Sequence, residues 1–155
     1  MTIITDQHKL REHSRETSLE EINDIALISQ LKEACKSAWT VGLGLTAIQI
    51  GIPLRAAWLI IANQETILIN PKIIRITNRG KYIKEGCLSI PYKWTSVKRA
   101  FKIRYLNDEK IYTAKGLKAQ IIQHEIDHMN GILNIDRLKH TKHKDLLPTK
   151  AKKTT

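Results

Sequence analysis

The chain has 155 residues, enough for one domain with a hydrophobic core, and 42% of them are apolar while 26% are charged. This composition is typical of a globular protein and excludes a wholly disordered or fibrous chain. The longest apolar run, residues 56–62, is too short to cross a membrane, and residues 1–17 contain no apolar block typical of a secretory signal. Two cysteines, Cys35 and Cys87, exclude a disulfide framework, so we expect reduced thiols and a cytoplasmic protein.

The net charge is +11, from 26 basic and 15 acidic residues. Residues 137–155 hold seven bases and one acid, or +6, which leaves +5 for the other 136 residues. A basic tail on a modestly basic body differs from a basic binding face, so we expect no specific DNA binding. The pattern predicts a folded domain over residues 1–137 and a flexible, basic C-terminal tail over residues 138–155.

Helical spacing dominates the first part of the chain. Ser18 and Glu21 have the pattern of a helix-capping box, and apolar residues then recur at helical intervals. This pattern predicts one amphipathic helix over residues 19–39. The glycines within residues 41–45 predict a loop that permits a close approach to the main chain.

Strand patterns follow over residues 55–104, where isoleucines and aromatic residues alternate with turn residues. The predicted strands, the last of which follows a turn at residues 107–109, are 57–62, 66–69, 73–77, 102–106 and 110–113. Residues 116–130 return to helical spacing, which Gly131 is placed to end. We therefore predict a single α+β domain in which antiparallel β-sheets pack around a central helix.

The strongest chemical signal is the sequence His124-Glu125-Ile126-Asp127-His128 in that last helix. Residues four apart lie one above the other on a helix, so both imidazoles can bind one metal ion. Glu125 then lies beside the metal and can take a proton from a bound water. The alternative interpretation is a pair of partly exposed histidines on a polar helix face.

A third ligand is needed to decide between these interpretations. One class of zinc peptidases carries a further histidine six residues after the second, but Asn134 stands there in this chain. Cys87, within residues 85–89, is the better candidate, because a thiolate with two imidazoles binds zinc or ferrous iron and leaves a fourth position for water. A small zinc peptidase stays the second hypothesis.

Three segments together resemble the peptide deformylase family. Residues 42–49 are similar to its first motif, a glycine-rich loop that ends in Gln49, and residues 85–89 and 124–128 are similar to its second and third motifs. Their order and rough spacing agree with the family, and shorter similarities extend the resemblance over about residues 5–137. The resemblance implies a metallohydrolase that removes the formyl group from the N-terminal formyl-methionine of nascent polypeptides.

The resemblance also implies a role for each residue of these motifs. Cys87, His124 and His128 would bind one divalent metal ion, typically ferrous iron with zinc as a weaker substitute. Glu125 would be the general acid and base for attack by a metal-bound water. The side-chain amide of Gln49 and the backbone N–H of Leu88 would donate to the oxyanion, a stabilisation worth about 3 kcal/mol per donor. The expected substrate-binding residues, which would admit the methionine side chain and the peptide backbone, are Gly42, Leu43, Gly44, Ile83, Leu117 and Ile121.

Some residues depart from the family pattern or extend it. Thr46 stands where many members carry alanine, Gln120 where an apolar pocket residue is common, and Trp94 near a stretch that often carries a polar residue contacting peptides. These departures leave the peptide preference beyond formyl-methionine open. We also hypothesise that Arg99 pairs with Glu85 or Asp127 and supports the metal ligands.

The basic tail suggests a further partner. It can contact ribosomal RNA through phosphate electrostatics, which would make the interaction sensitive to salt. A third hypothesis is therefore non-enzymatic, namely a metal-stabilised protein that binds RNA or the ribosome. Because Glu125, Gln49 and the three expected ligands are all present, nothing in the sequence indicates a loss of catalysis.

Overall fold

The computed structural model describes residues 2–77 and 80–137. Within these ranges the α-helices are α1 (Leu19–Asp24), α2 (Leu27–Lys36) and α3 (Gly116–Met129). The strands are β1 (Gly44–Thr46), β2 (Ala56–Ile61), β3 (Gln64–Ile69), β4 (Lys72–Ile76), β5 (Lys81–Cys87), β6 (Ile90–Arg99), β7 (Lys102–Asn107) and β8 (Lys110–Lys115). Short 3-10 helices cover Lys9–Arg11, Ala47–Ile50 and Asn134–Arg137.

The strands form two three-stranded sheets and one hairpin, and every pairing among them is antiparallel. The first sheet has the order β1-β2-β3, the second has the order β4-β7-β8, and β5 pairs with β6. The turn between β7 and β8 places Asp108 and Glu109 at positive φ, as expected for a two-residue hairpin turn. This arrangement confirms the predicted α+β class and the turn at residues 107–109.

Helix α3 is the central element of the domain. It contacts β1 and β2 of one sheet and β7 and β8 of the other. Its apolar side buries Ala119, Ile122, Ile126 and Met129 against both sheets. The helix ends where predicted, because Gly131 has a φ of +70° and a Cβ there would lie 2.3 Å from the Arg11 carbonyl oxygen. The tight contact around Gly131 therefore fixes the C-terminal end of α3 against the N-terminal segment.

The single helix predicted over residues 19–39 is wrong. The structure breaks it into α1 and α2 at Ala26, which has a φ of +49° and lies in the left-handed region. On a continuous helix Ile22 would lie about 180° around the axis from Leu31. The break allows both side chains to enter the same hydrophobic core. Tertiary packing therefore overrides the local spacing that favoured one helix.

The start of α1 confirms half of the predicted capping box. The Ser18 hydroxyl accepts a hydrogen bond from the Glu21 backbone N–H at 3.1 Å. The Glu21 carboxylate instead pairs with Arg15 and Thr17, away from the helix cap. The cap is thus made by Ser18 alone.

Strands β5 and β6 lie inside residues 55–104, the region predicted to be rich in strands. Neither of the two was predicted individually. Strand β1 was also missed, because Gly44–Thr46 begins within the loop predicted at residues 41–45. The boundaries of the other strands differ from prediction by at most two residues. Residues 138–155 lie outside the described residues, so the flexible tail and a domain boundary at residue 137 stay predictions. No helix within the described ranges has the length and apolar character needed to span a membrane.

Candidate metal centre and active site

The three expected ligands meet at one point in the structure. Cys87 ends β5, whereas His124 and His128 lie one turn apart on α3. One donor atom from each side chain lies within 4.8 Å of the other two, and Cys87 Sγ is 3.2 Å from His128 Nε2. A thiolate and two imidazoles are a donor set that suits zinc or ferrous iron. These residues therefore fit a bound divalent metal ion.

A buried ionic network supports this centre from behind. The Arg99 guanidinium donates two hydrogen bonds to Glu85, at 2.7 and 3.0 Å, and a third to Asp127 at 2.5 Å. Arg137 donates to both oxygens of Asp127. Glu85 lies 3.1 Å from His124 Nδ1, which leaves Nε2 of that ring to face the metal centre. Both pairings hypothesised for Arg99 are confirmed.

Burial and charge act against each other in this network. Burial alone would raise the pKa of Glu85, but hydrogen bonds from His124 and Arg99 outweigh it and lower the pKa to about 2. Burial also disfavours the Cys87 thiolate, yet the neighbouring His128 and His124 hold its pKa well below its ordinary value. Cys87 is therefore poised to be a thiolate, the form that binds metal ions.

Glu125 lies against the glycine-rich loop. The side chain is 3% exposed, its Oε2 atom has no hydrogen-bond partner among the described residues, and burial raises its pKa. A Cβ on Gly44 would lie only 2.7 Å from Glu125 Oε1. Gly44 therefore makes room for the carboxylate, whose buried Oε2 atom makes no hydrogen bond within the described part of the chain.

Gln49 and Leu88 approach the same centre from two other elements. Gln49 lies in the 3-10 helix Ala47–Ile50, and its Nε2 donates to Ser89 Oγ at 3.1 Å and lies 3.8 Å from Cys87 Sγ. Its Oε1 accepts hydrogen bonds from the backbone and the hydroxyl of Thr46. Leu88 occupies the tight turn between β5 and β6. The amide N–H groups of Gln49 thus point towards the centre.

A cavity of about 310 Å³ opens in front of these residues. It brings together every predicted substrate-binding residue, namely Gly42, Leu43, Gly44, Ile83, Leu117 and Ile121. Cys87, His124, Glu125, Gln49 and Leu88 also line it, whereas His128 is 1% exposed and lies behind them. Asn134, the position at which a zinc peptidase would need its third ligand, is buried and does not line this cavity.

Gly42 has a packing role beside its place in the cavity wall. A Cβ there would lie 2.6 Å from Leu88 Cδ1 and 3.0 Å from Cys35 Sγ. Cys35 is buried and free, and its Sγ lies 3.7 Å from the Gly42 carbonyl oxygen. The space left by the missing side chain is therefore filled by the protein's own core.

Several residues that line the cavity were not predicted from the sequence. The Trp39 indole N–H donates to the Leu88 carbonyl at 3.2 Å, and its ring packs on Tyr92 with centroids 5.0 Å apart. Lys84 and Lys93 also line the cavity. The only signal for Trp39 was its position just before the glycine-rich loop, and the contact with Tyr92 joins segments more than fifty residues apart. Trp94, which the sequence singled out, does line the cavity.

The family model described as Polypeptide deformylase matches residues 1–144. The chain belongs to the peptide deformylase family. Its curated relatives include a peptide deformylase of Bartonella quintana, 42% identical over 122 residues, which cover 72% of this chain and 69% of that protein. A peptide deformylase of Rhizobium meliloti is 40% identical over 125 residues, which cover 73% of this chain and 72% of the relative.

Solved deformylase structures share the fold. The enzyme from Thermotoga maritima aligns with a TM-score of 0.77 and 29% identity, over 90% of this chain and 97% of that chain. The enzyme from a Vibrio parahaemolyticus bacteriophage, solved with actinonin, aligns with a TM-score of 0.75 and 35% identity, over 86% and 99%. The chain is thus a hydrolase that removes the N-terminal formyl group from nascent peptides, and the family implies a divalent metal ion.

Proposed function

We propose that the chain hydrolyses the formamide bond of N-terminal formyl-methionine, with the metal ligands and catalytic residues predicted from the sequence. The observation that carries this proposal is the convergence of Cys87, His124 and His128 beside Glu125, at the floor of a cavity lined by the glycine-rich loop. Family membership supports deformylation, and this geometry supports the particular residues.

Cys87, His124 and His128 would hold the metal ion. The ion would supply Lewis acidity, which makes water nucleophilic at neutral pH and polarises the formyl oxygen. The protein's own part is to hold the ligands in place. Glu85 fixes the His124 ring through Nδ1, and Arg99 fixes Glu85. The ligands therefore need little rearrangement when the substrate binds.

Glu125 is the proton carrier of the proposed reaction. It receives a proton from the attacking water and returns it to the amine nitrogen as the C–N bond breaks, which releases formate and a free N-terminus. The unpartnered Oε2 atom is available for both transfers. Burial raises the pKa of the carboxyl group towards the range that suits a general acid.

Two donors are proposed to stabilise the negative charge on the formyl oxygen. The Gln49 side-chain amide and the Leu88 backbone N–H approach from separate elements. Because the surroundings are buried, such donors act more strongly than they would in water. Two donors directed at a single carbonyl oxygen would suit formyl, the smallest acyl group.

The methionine side chain is proposed to enter the apolar part of the cavity. Ile83 and Ile121 are partly buried there, and Leu43 and Leu117 are exposed at its edge. Aliphatic side chains of this kind suit an unbranched, flexible thioether. The glycine-rich loop would lie beside the substrate backbone. Gln120 adds a polar group to the same cavity.

We propose ferrous iron as the ion, with zinc as a weaker substitute. The test is formate release from a formyl-Met-Ala peptide under anaerobic conditions, with iron-loaded and zinc-loaded protein compared. Glu125→Gln, which keeps the size of the side chain but cannot carry the proton, is the matched control. We expect rapid release by the iron-loaded chain and a loss of about 100-fold or more in the variant. If the variant retained full activity, Glu125 would not be the general base.

The basic tail is proposed to contact ribosomal RNA near the cytoplasmic source of formylated chains. Residues 138–155 carry six lysines and one aspartate. A truncated chain that ends at residue 137 should lose salt-sensitive co-sedimentation with ribosomes while retaining activity on free peptides. Unchanged co-sedimentation at low salt would contradict the proposed role of the tail.

A further inference from the structure

Thr46 occupies an unusual position beside Gln49. It is fully buried at the end of β1, immediately before the 3-10 helix that carries Gln49. Its backbone N–H lies 3.0 Å from Gln49 Oε1, and its hydroxyl oxygen lies 2.8 Å from the same atom. Two groups of one residue thus converge on the amide oxygen.

The direction of these hydrogen bonds follows from the geometry. The Thr46 hydroxyl oxygen accepts a hydrogen bond from the Gln49 backbone N–H. Its single proton is then free to be donated to Gln49 Oε1. A closed ring results, in which Thr46 and Gln49 each donate to and accept from the other. Oε1 is occupied by two donors, so the amide nitrogen is turned towards Ser89 Oγ and Cys87 Sγ, beside the metal ligands.

An inverted Gln49 amide would be unfavourable in this setting. It would place NH₂ against the Thr46 backbone N–H, donor against donor, and would turn the amide oxygen towards Ser89 and Cys87. Gln49 is 2% exposed, so water cannot easily compensate for the lost hydrogen bonds. Hydrogen bonds that run through one amide also polarise each other, and donors at Oε1 strengthen donation by Nε2.

We propose that Thr46 is a positioning residue, whose hydroxyl holds the Gln49 amide with its nitrogen towards the metal centre, where an N–H can donate to the reacting carbonyl oxygen. The backbone N–H of residue 46 would be supplied by any residue except proline. The threonine hydroxyl supplies a second donor to Gln49 Oε1, which an alanine at this position would lack. This inference rests on the proposed role of Gln49 as an oxyanion donor.

The first experiment compares side chains that differ in the hydroxyl alone. Thr46→Val matches threonine in shape, and Thr46→Ala matches Thr46→Ser in size. We expect the Val and Ala variants to lose about fivefold to tenfold in kcat, the effect of one net hydrogen bond, with KM unchanged. The Ser variant should retain most of the activity. The Ala and Ser pair keeps the test decisive if the Val variant does not fold.

A double-mutant cycle separates positioning from a general effect on the fold. In a Gln49→Leu background, which we expect to be about 100-fold slower, Thr46→Val should have no further effect on kcat. An equal loss in both backgrounds would overturn the inference, and so would an unchanged kcat in the Val and Ala variants. A wild-type chain without formate release would instead refute the proposed function itself.

A measurement that does not depend on turnover completes the test. The Gln49 side-chain NH₂ signals can be assigned in ¹⁵N-labelled, zinc-loaded protein by their loss in Gln49→Leu. We expect slow solvent exchange in the wild type and in Thr46→Ser, and faster exchange in Thr46→Val and Thr46→Ala. Equal exchange in all four chains would show that the hydroxyl does not hold the amide.

Discussion

Buried charges build one side of the cavity, and exposed aromatic rings build the other. The first side, here called the helix wall, consists of His124 and Glu125 on α3, together with His128, which is buried behind them. Glu125 and His128 are only 3% and 1% exposed. The second side, here called the aromatic rim, consists of Trp39 and Trp94, which line the cavity, together with Tyr92, which packs on Trp39. Tyr92 and Trp94 are 84% and 72% exposed.

The two sides are held by different forces. Behind the helix wall, Arg99 joins Glu85 to Asp127 through buried ionic hydrogen bonds that hold the ligands in place. If one partner of such a pair is lost, the buried charge that remains lowers the stability of the fold. The aromatic rim is held by ring packing and by one hydrogen bond from Trp39 to Leu88. Substitutions behind the helix wall should therefore affect folding and catalysis, whereas substitutions in the rim should affect peptide binding alone.

The largest expected effect follows from removing the cation behind the helix wall. Arg99→Leu would leave Glu85 and Asp127 buried without their shared partner. We expect the free energy of unfolding to fall by about 3–5 kcal/mol, as measured by urea denaturation of metal-loaded protein. Metal affinity should also fall by about 10–100-fold, because Glu85 would no longer be fixed against His124.

Arg99→Lys is the matched control for this prediction. Lysine keeps the charge but cannot reproduce the paired hydrogen bonds to Glu85, so its effect should be intermediate. If Arg99→Leu unfolded at the same urea concentration as the wild type, the network would have no role in holding the helix wall.

The next largest effect is expected where the glycine-rich loop touches the helix wall. Gly44→Ala would place a methyl group 2.7 Å from Glu125 Oε1 and 2.6 Å from Leu59 Cδ2. The carboxylate must shift, and a misplacement of about 1 Å can lower kcat by about 100-fold. The loss should appear in kcat measured with a formyl-Met-Ala peptide.

Gly42→Ala provides the comparison within the same loop. Its new methyl group would meet Leu88 and Cys35 but would not meet Glu125. We therefore expect a smaller loss of kcat, accompanied by a lower thermal unfolding midpoint. Equal kcat values for the two variants would contradict the specific contact between Gly44 and Glu125.

A smaller effect is expected in the apolar slot between the two sides. Ile121→Ala removes a partly buried aliphatic side chain that lines the cavity. The preference for formyl-Met over formyl-Ala peptides, measured as the ratio of kcat/KM values, should fall by about tenfold. Leu117→Ala, at a half-exposed position, should change the ratio less. An unchanged ratio in Ile121→Ala would place the methionine side chain elsewhere.

The helix wall was predictable from the sequence because its pattern is local. His124 and His128 lie four residues apart on one helix, so helical geometry alone brings their side chains together. Cys87, Gln49 and Leu88 come from distant segments. Donor chemistry suggested Cys87 as the third ligand, whereas only the resemblance to the family joined Gln49 and Leu88 to the helix. The partners of Arg99 were also predicted, since opposite charges limit the choice.

The rest depends on packing between distant segments. The contact between Trp39 and Tyr92 has no local pattern. The contribution of Arg137 to Asp127 was not predicted, because Arg137 was considered only in the charge count of residues 137–155. The break at Ala26 follows from the need to bury Ile22 with Leu31, which helical spacing alone does not reveal.

The smallest expected effect tests the aromatic rim. Trp94 is largely exposed and packs over Gly86 at the cavity edge, so its loss should leave folding and kcat unchanged. If the methionine side chain occupies the apolar part of the cavity, we expect the Trp94 ring at the cavity edge to contact residues that follow the methionine. Trp94→Ala should raise KM by about threefold for a formylated tetrapeptide, the effect of one exposed aromatic contact, and leave KM for formyl-Met amide unchanged.

Phe101→Ala is the control for this change. Phe101 is an aromatic residue that is half-exposed, but it does not line the cavity, so both KM values should stay the same. A larger KM for both substrates in Trp94→Ala would mean that the ring shapes the methionine slot itself. Peptide length is the only variable between the two substrates. The comparison therefore distinguishes an aromatic rim that binds the peptide residues after the methionine from a rim that only shields the helix wall from solvent.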